Sequence, residues 1–319
     1  MKEISIKDIE NIKIGHSTDV TNGTGVTVII SPDGAPAGVD VRGGGPASRE
    51  TTLLDPRANA EVIHAIVLGG GSAYGLDAAG GVMRFLEEKG IGFPVGLGVV
   101  PLVVQSDIFD LGCGSFNVRP DQAMGYAACE GAYDGNYQDG CYGGGTGATV
   151  GKMKGMEYCT KTGCGSYAVQ IGDLKIGAIV ILNALGNVYD QNGKCIAGML
   201  NADKTSYESI EDLMIANADK VVDNKFTGNT TIGVILTNAK FNKSKLTKIA
   251  SMAHNGYARS IRPVHTSADG DTIYAMSTGD VIADADLVGT VASNVMSMAI
   301  ERAVSNAQDG YGYKSSIEF

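Results

Sequence analysis

KVVDNKFTGN, residues 220–229, runs directly into TTIGVILTNA, residues 230–239. The first ten residues are polar and end on the turn-forming pair Gly228-Asn229. The second ten carry Ile232, Val234, Ile235 and Leu236 in an unbroken apolar stretch. A polar, glycine-containing loop that enters such a run predicts a buried strand opening at the Asn229-Thr230 junction.

Working outward, further runs of strand length stand at Val26 to Ile30, Ala65 to Leu68, Lys175 to Leu182 and Ile273 to Met276. Helical spacing appears over 72–89, which follows a Gly-rich turn, and over 206–219, with Ser206 and Ser209 near its start. It appears again over 243–259, where Leu246, Ile249, Ala250 and Ala253 align, and over 284–304, where Val288, Val291, Ala292, Val295 and Ala299 align. The mixture predicts an α/β fold with sheets buried under helices. There is no fixed-period repeat and no low-complexity linker, so residues 1–319 read as one domain with one plausible seam at 220–229.

The balance of 35 acidic against 25 basic residues gives a formal charge of -10. Nucleic acid and anionic membrane surfaces repel such a protein, which argues against both as partners. The opening MKEISIKDIENIKIG has no apolar core of a signal peptide, and the longest apolar stretches, such as Pro94 to Val104, are too short to span a bilayer. A cytoplasmic location is expected. The six cysteines lack CxxC spacing and the four histidines are scattered away from them, so a zinc site is not expected and reduced thiols are.

Three glycine-rich segments invite functional readings. Gly69-Gly70-Gly71-Ser72-Ala73-Tyr74-Gly75 stands between a strand and a helix, as a dinucleotide-binding loop would, but Tyr74 breaks GxGxxG. Its plain reading is a tight turn with close helix packing. Ser72 in the same segment resembles the nucleophile of GxSxG, with His254 or His265 as base, but the final glycine is missing. The run from Gly143 to Lys152, GGGTGATVGK, is not a Walker A loop, since Thr146 and Met153 stand where Gly and Ser or Thr are needed. Its glycines still allow the backbone of Gly144, Gly145 and Thr146 to face a substrate anion or oxyanion.

The junction itself suggests a different chemistry. A free α-amino group has a pKa of roughly 7.7–8.0, so a Thr exposed at a new N-terminus carries nucleophile and general base in one residue. Gly228 and Asn229 supply the bend that would let Thr230 attack the preceding carbonyl. Read alone, GNTT before a strand is an ordinary turn.

Five ordered blocks change that weighing: VRGGGPASRETTLLDP from Val41, AIVLGGGSAYGLDAAGGVMRFLEEKG from Ala65, GGGTGATVGK from Gly143, NTTIGVILTNA from Asn229 and DGDTIYAMSTGD from Asp269. Together they resemble the L-aminopeptidase/D-esterase family of self-processing N-terminal-nucleophile hydrolases, which includes β-peptidyl aminopeptidases and endo-type nylon-oligomer hydrolases. The resemblance implies an αββα sandwich like that of the ornithine acetyltransferases. It implies one chain that cuts itself before Thr230 into fragments 1–229 and 230–319, which stay together, and a homotetramer of cut chains.

The same resemblance assigns residues. Thr230 takes the nucleophile position, and Asp269 and Asp271 match paired polar positions that would bind its hydroxyl or amine. Asn183 matches an oxyanion-facing amide. Lys152 matches a lysine near the nucleophile, whose charge would lower the pKa of the Thr230 amine. The implied activity is hydrolysis of amide or ester bonds, first of all as an aminopeptidase on short peptides, with no metal or organic cofactor. Nylon-oligomer hydrolysis and acyl transfer are the enzymatic alternatives. A Gly-rich nucleotide-binding protein is the non-enzymatic one.

Overall fold

The computed structural model describes residues 1–219 and 228–316. Residues 220–227 of the expected seam lie outside the described residues; Gly228 and Asn229 lie within them.

Among the described residues, six strands form one sheet in the order Lys2–Ile4, Cys164–Ile171, Leu174–Asn183, Thr230–Ala239, Thr272–Val281, Ala37–Val41. Every neighbouring pair is antiparallel except Thr230–Ala239 with Thr272–Val281. Five strands form a second sheet in the order Lys13–Asp19, Thr24–Ala35, Ile63–Gly69, Val103–Asp107, Ala47–Arg49. Here too one pair, Ile63–Gly69 with Val103–Asp107, is parallel.

Each parallel pair is joined by a crossover that contains a helix, as parallel strands require. Helix Ala78–Glu88 serves the five-stranded sheet and helix Lys243–Ser260 the six-stranded one. Gln122–Asp134 joins the first helix on its face and Ala285–Ser305 joins the second.

Strand alternation sorts the side chains into three cores and hence four layers. Ile232, Val234 and Leu236 face Ile66, Leu68, Ile29 and Val104 between the sheets. Ile235 points the other way, onto Leu246, Ile249, Val291 and Val295 of the outer helices. Val26, Val28, Ala65 and Val67 likewise point onto Val82, Phe85 and Ala128. Because both faces of the central strands are buried, their sequences read as continuous apolar runs rather than alternating ones. The αββα sandwich expected from the sequence is the one observed.

Each expected strand is present, one or more residues longer at its ends. Helix 72–89 resolves into a 3-10 turn Ser72–Asp77 followed by α-helix Ala78–Glu88. The helix expected over 206–219 shortens to Ile210–Ala216, because Ser209 is its cap and accepts the Asp212 amide. Helix Gln122–Asp134 was not foreshadowed by periodicity. Its small residues let it lie on the adjacent strand: a Cβ on Gly15 would sit 2.0 Å from the Ala132 nitrogen. Gly165 meets the backbone of Ala299 and Ala303 in the same way. Close helix-on-sheet contact of this kind explains part of the high glycine content.

Candidate active site

The strand from Thr230 opens in register with the strand that Asn183 ends, so the two residues are direct cross-strand partners. On its other side the parallel ladder starts only at Ile232, opposite Thr272. Asp269-Gly270-Asp271 is therefore the turn just ahead of the second parallel strand, beside the first residues of the first. Thr230, Asn183, Lys152, Asp269 and Asp271 are all buried.

Asn183 is held through all its polar atoms. Its Oδ1 accepts from Lys152 Nζ at 2.6 Å and from the Thr149 amide at 3.1 Å. Its Nδ2 donates to the carbonyls of Phe109 at 3.2 Å and Gly228 at 3.3 Å. Two donors on one end and two carbonyls on the other fix which way the amide faces. Lys152 also donates to the Gly228 carbonyl at 3.1 Å and to the Asn183 carbonyl at 3.2 Å. Burial pulls its ammonium down to about 8, against the thiols of Cys159 and Cys113 and the carboxyls of Asp269 and Asp110, which pull it up.

Lys152 and Asn183 thus grip the carbonyl one peptide before the Asn229-Thr230 bond. Gly228 has φ 68°, and a Cβ there would lie 2.2 Å from the Phe109 ring, so only glycine fits this bend. The Asn229 carbonyl itself accepts the Gly270 amide at 3.2 Å, and the Thr230 hydroxyl donates to that same carbonyl oxygen. A Cβ on Gly270 would stand 2.7 Å from Thr230 Oγ1.

The two carboxylates are held close by, and neither bonds the Thr230 hydroxyl, which donates to the Asn229 carbonyl. Asp271 Oδ1 accepts the Thr231 amide at 2.8 Å, while its Oδ2 accepts from His265. Asp269 Oδ2 accepts the amide and hydroxyl of Thr266 at 2.9 and 2.6 Å. Burial, then the neighbouring Asp271 charge, raises Asp269 to about 6. The turn is braced from Val41-Arg-Gly-Gly-Gly-Pro46, whose Arg42 and Gly45 amides donate to the carbonyls of Asp271 and Asp269 at 2.9 and 2.8 Å.

The loop at Gly143 is built differently from the expectation that its amides face a ligand. The Gly144 amide donates to Thr27 Oγ1, the Gly145 amide to the Tyr142 carbonyl and the Thr146 amide to the Gly143 carbonyl. Those three donors are spent within the fold. The loop reaches the site from behind, through Thr149 on Asn183.

Gly69-Gly70-Gly71 is closed in the same sense. The amides of Gly70, Gly71 and Ser72 go to the Gly25 carbonyl, Asp110 Oδ1 and the Ile108 carbonyl. A Cβ on Gly70 would be 1.9 Å from Asp110 Oδ2, so a carboxylate occupies the space where a dinucleotide phosphate would need to lie. His254 and His265 bond Asp40 and Asp271, not Ser72.

Gly270, Phe109 and Thr266 carry no signal in the sequence reading, and His265 enters it only as a base for Ser72. Gly270 was in view between two assigned acids. Phe109 acts through its carbonyl and ring edge, which no sequence pattern announces.

The sequence profile of peptidase family S58 matches residues 5–316. An uncharacterized aminopeptidase of Mycobacterium leprae is 40% identical over 297 residues, covering 88% of this chain and 80% of the relative. The 6-aminohexanoate-oligomer endohydrolase of Paenarthrobacter ureafaciens is 33% identical over 310 residues, covering 93% of this chain and 84% of the relative. Among solved structures, the L-aminopeptidase D-Ala-esterase/amidase of Ochrobactrum anthropi, a variant of the Ntn hydrolase fold, superposes with a TM-score of 0.73. It is 19% identical, with 98% of this chain and 91% of that one covered.

Proposed function

Because the chain belongs to peptidase family S58, and with it to the aminopeptidases and amidohydrolases, we propose that it matures by cutting its own Asn229-Thr230 bond and then uses Thr230 as an N-terminal nucleophile. The observation that carries this reading is the scissile carbonyl: the Asn229 oxygen accepts the Gly270 amide and meets the Thr230 hydroxyl, while Lys152 and Asn183 hold the preceding carbonyl.

In the first stage Thr230 Oγ bonds to the Asn229 carbonyl carbon, and the Gly270 N–H stabilises the negative charge that develops on the oxygen. The C–N bond then breaks as the hydroxyl proton passes to the Thr230 nitrogen, leaving an ester. Water hydrolyses the ester, giving an Asn229 carboxylate and a free Thr230 amine. Fragments 1–229 and 230–319 remain one body through the shared sheet, whose Leu174–Asn183 and Thr230–Ala239 strands come from different pieces.

In the second stage the Thr230 amine takes the proton as Oγ attacks a substrate amide. Asn183 Nδ2, released from the Gly228 carbonyl by the cut, becomes a donor to the new oxyanion. Lys152 beside it disfavours protonation of the amine and keeps it basic. Short peptides with a free amino end are the substrate class, in line with the relatives named aminopeptidases. A second reading, ω-amino acyl oligomers, draws on the relatives named 6-aminohexanoate-oligomer endohydrolases and on the Thr230 with Asp269-Gly270-Asp271 combination that resembles theirs.

The reading includes a homotetramer in the cytoplasm. The apolar hairpin Phe93–Val100, where Phe93, Val95, Leu97 and Val100 are exposed, supports self-association. No helix among the described residues is long and apolar enough to cross a membrane.

The test is Thr230→Ala, assayed on amino-acyl p-nitroanilides and on 6-aminohexanoate oligomers. The expected protein is folded, uncut and at least about 10⁴-fold less active than wild type on whichever substrate wild type accepts. Turnover by the variant would overturn the nucleophile assignment.

A further inference from the structure

The parallel ladder beside the nucleophile begins one residue too late to hold the Thr231 amide, since its first pair is Ile232 with Thr272. A side chain supplies the missing acceptor: Asp271 Oδ1 takes that amide at 2.8 Å. Thr231 N belongs to the peptide that leaves Thr230, so its position sets the plane of the Thr230 carbonyl and the aim of Thr230 Oγ. The aim of Asp271 depends in turn on whatever holds its other oxygen.

That oxygen is held twice by one residue. Asp271 Oδ2 accepts the His265 backbone amide at 3.0 Å and His265 Nδ1 at 2.9 Å. His265 has φ 58°, in the left-handed region where a non-glycine residue is uncommon; Asn, Asp and His are the side chains that enter it most readily. With that backbone geometry, both donors of one residue meet one carboxylate oxygen.

The ring is fixed from behind by helix Lys243–Ser260. It packs edge-to-face on His254 at 4.7 Å between centroids, and the Tyr257 ring lies at 6.1 Å. His254 is itself tied through Nε2 to the Asp40 carbonyl at 3.0 Å.

We propose that His265 is a positioning residue for the Thr230 nucleophile, acting through Asp271: its ring and amide clamp one carboxylate oxygen so that the other holds Thr231. The inference rests on the reading of Thr230 as nucleophile. It adds a chain of three contacts, from a helix-packed imidazole to the peptide beside the reacting hydroxyl. His265 needs no contact with substrate for this role.

Two variants test it. His265→Gly removes the ring and tolerates positive φ, and His265→Asn keeps an N–H donor near the Nδ1 position on a residue that also tolerates it. The expected result for Gly is self-cleavage and kcat both slowed by about 30-fold or more, with KM within about twofold and the melting temperature within a few degrees of wild type. Asn is expected to recover to within about fivefold of wild type.

Gly at wild-type rates would overturn the proposal. So would a loss in which kcat, KM and melting temperature fall together and Asn restores nothing, because that is a structural defect. A wild-type chain that neither cuts itself nor turns over substrate would instead refute the nucleophile reading, which separates the two failures.

Discussion

The two sheets share one plan: a hairpin, then a strand, then its parallel neighbour reached through a helical crossover, then an antiparallel edge strand. Each also carries a buried pair of aspartates next to its parallel strands. In the six-stranded sheet, Asp269 and Asp271 precede the second parallel strand and stand beside the first residues of its neighbour. In the five-stranded sheet, Asp107 closes the second parallel strand and Asp110 follows it, against Gly69 to Gly71.

The pairs differ in what surrounds them. Asp271 accepts three N–H donors, and its turn stands beside the Thr230 hydroxyl, which donates to the Asn229 carbonyl. Asp107 takes Gln105 Nε2 on Oδ1, while its Oδ2 has no hydrogen-bond partner among the described residues, and burial raises its carboxyl well above the ordinary range. Its burial disfavours the charged form. Asp110 instead organises the glycine loop, accepting Thr24 Oγ1 and the Gly71 amide at 2.7 Å each. A buried acid pair is thus no mark of catalysis by itself; what distinguishes the pair at 269–271 is the Thr230 hydroxyl and the Asn229 carbonyl beside it.

The sharpest way to break this contrast is to neutralise one acid in each sheet. Asp271→Asn puts an N–H₂ against at least one donor and is expected to slow self-cleavage and turnover by about 10²–10³-fold. Asp107→Asn is expected to stay within about threefold of wild type, because Asp107 lies in the other sheet, bonded to Gln105 and without contact to Thr230. Single-turnover cleavage rates and kcat on the same substrate check both. Equal losses would abolish the distinction.

Asn183→Ala comes next. Loss of the amide removes the proposed oxyanion donor and is expected to lower kcat about 10²-fold or more, on the scale of about 3 kcal/mol for such a donor. The Gly270 amide is untouched, so self-cleavage should slow less than turnover. A variant in which both fall equally would mean that the two stages share one donor set.

The smallest effect concerns stability. Burial raises Asp110 to about 6, so between about pH 4 and pH 6 the folded chain binds a proton that the unfolded chain has released. Stability therefore falls as pH rises through that window, by up to about 3 kcal/mol from this group, and the loss is complete above it. Asp110→Asn keeps an acceptor for Gly71 and offers a donor to Thr24, and should flatten that part of the slope. Melting temperatures from pH 4 to 7 read this directly; an unchanged slope would mean that Asp110 titrates near its unfolded value.

Much of this architecture was legible in the sequence because both faces of the central strands are buried, which makes Val26 to Ile30 and Ile232 to Thr237 apolar without alternation. Lys13–Asp19 and Val103–Asp107 were not, since His16, Gln105, Ser106 and Asp107 are polar residues buried by tertiary partners that lie far along the chain. The site was reachable through family resemblance rather than pattern: Lys152, Asn183, Thr230 and the aspartates are spread over more than a hundred residues. The Gly144 amide finds its acceptor in Thr27, more than a hundred residues away, a partner that is invisible until the sheets are assembled. His265 was weighed only against Ser72, since nothing in VHTSADGD says that a left-handed backbone turns its ring onto Asp271.

The central claim is tested most directly by the mass of freshly purified protein under denaturing conditions. The account predicts that the 33.0 kDa chain is replaced by two pieces of 229 and 90 residues, the smaller beginning at Thr230. A full-length chain that stays intact over time would contradict it.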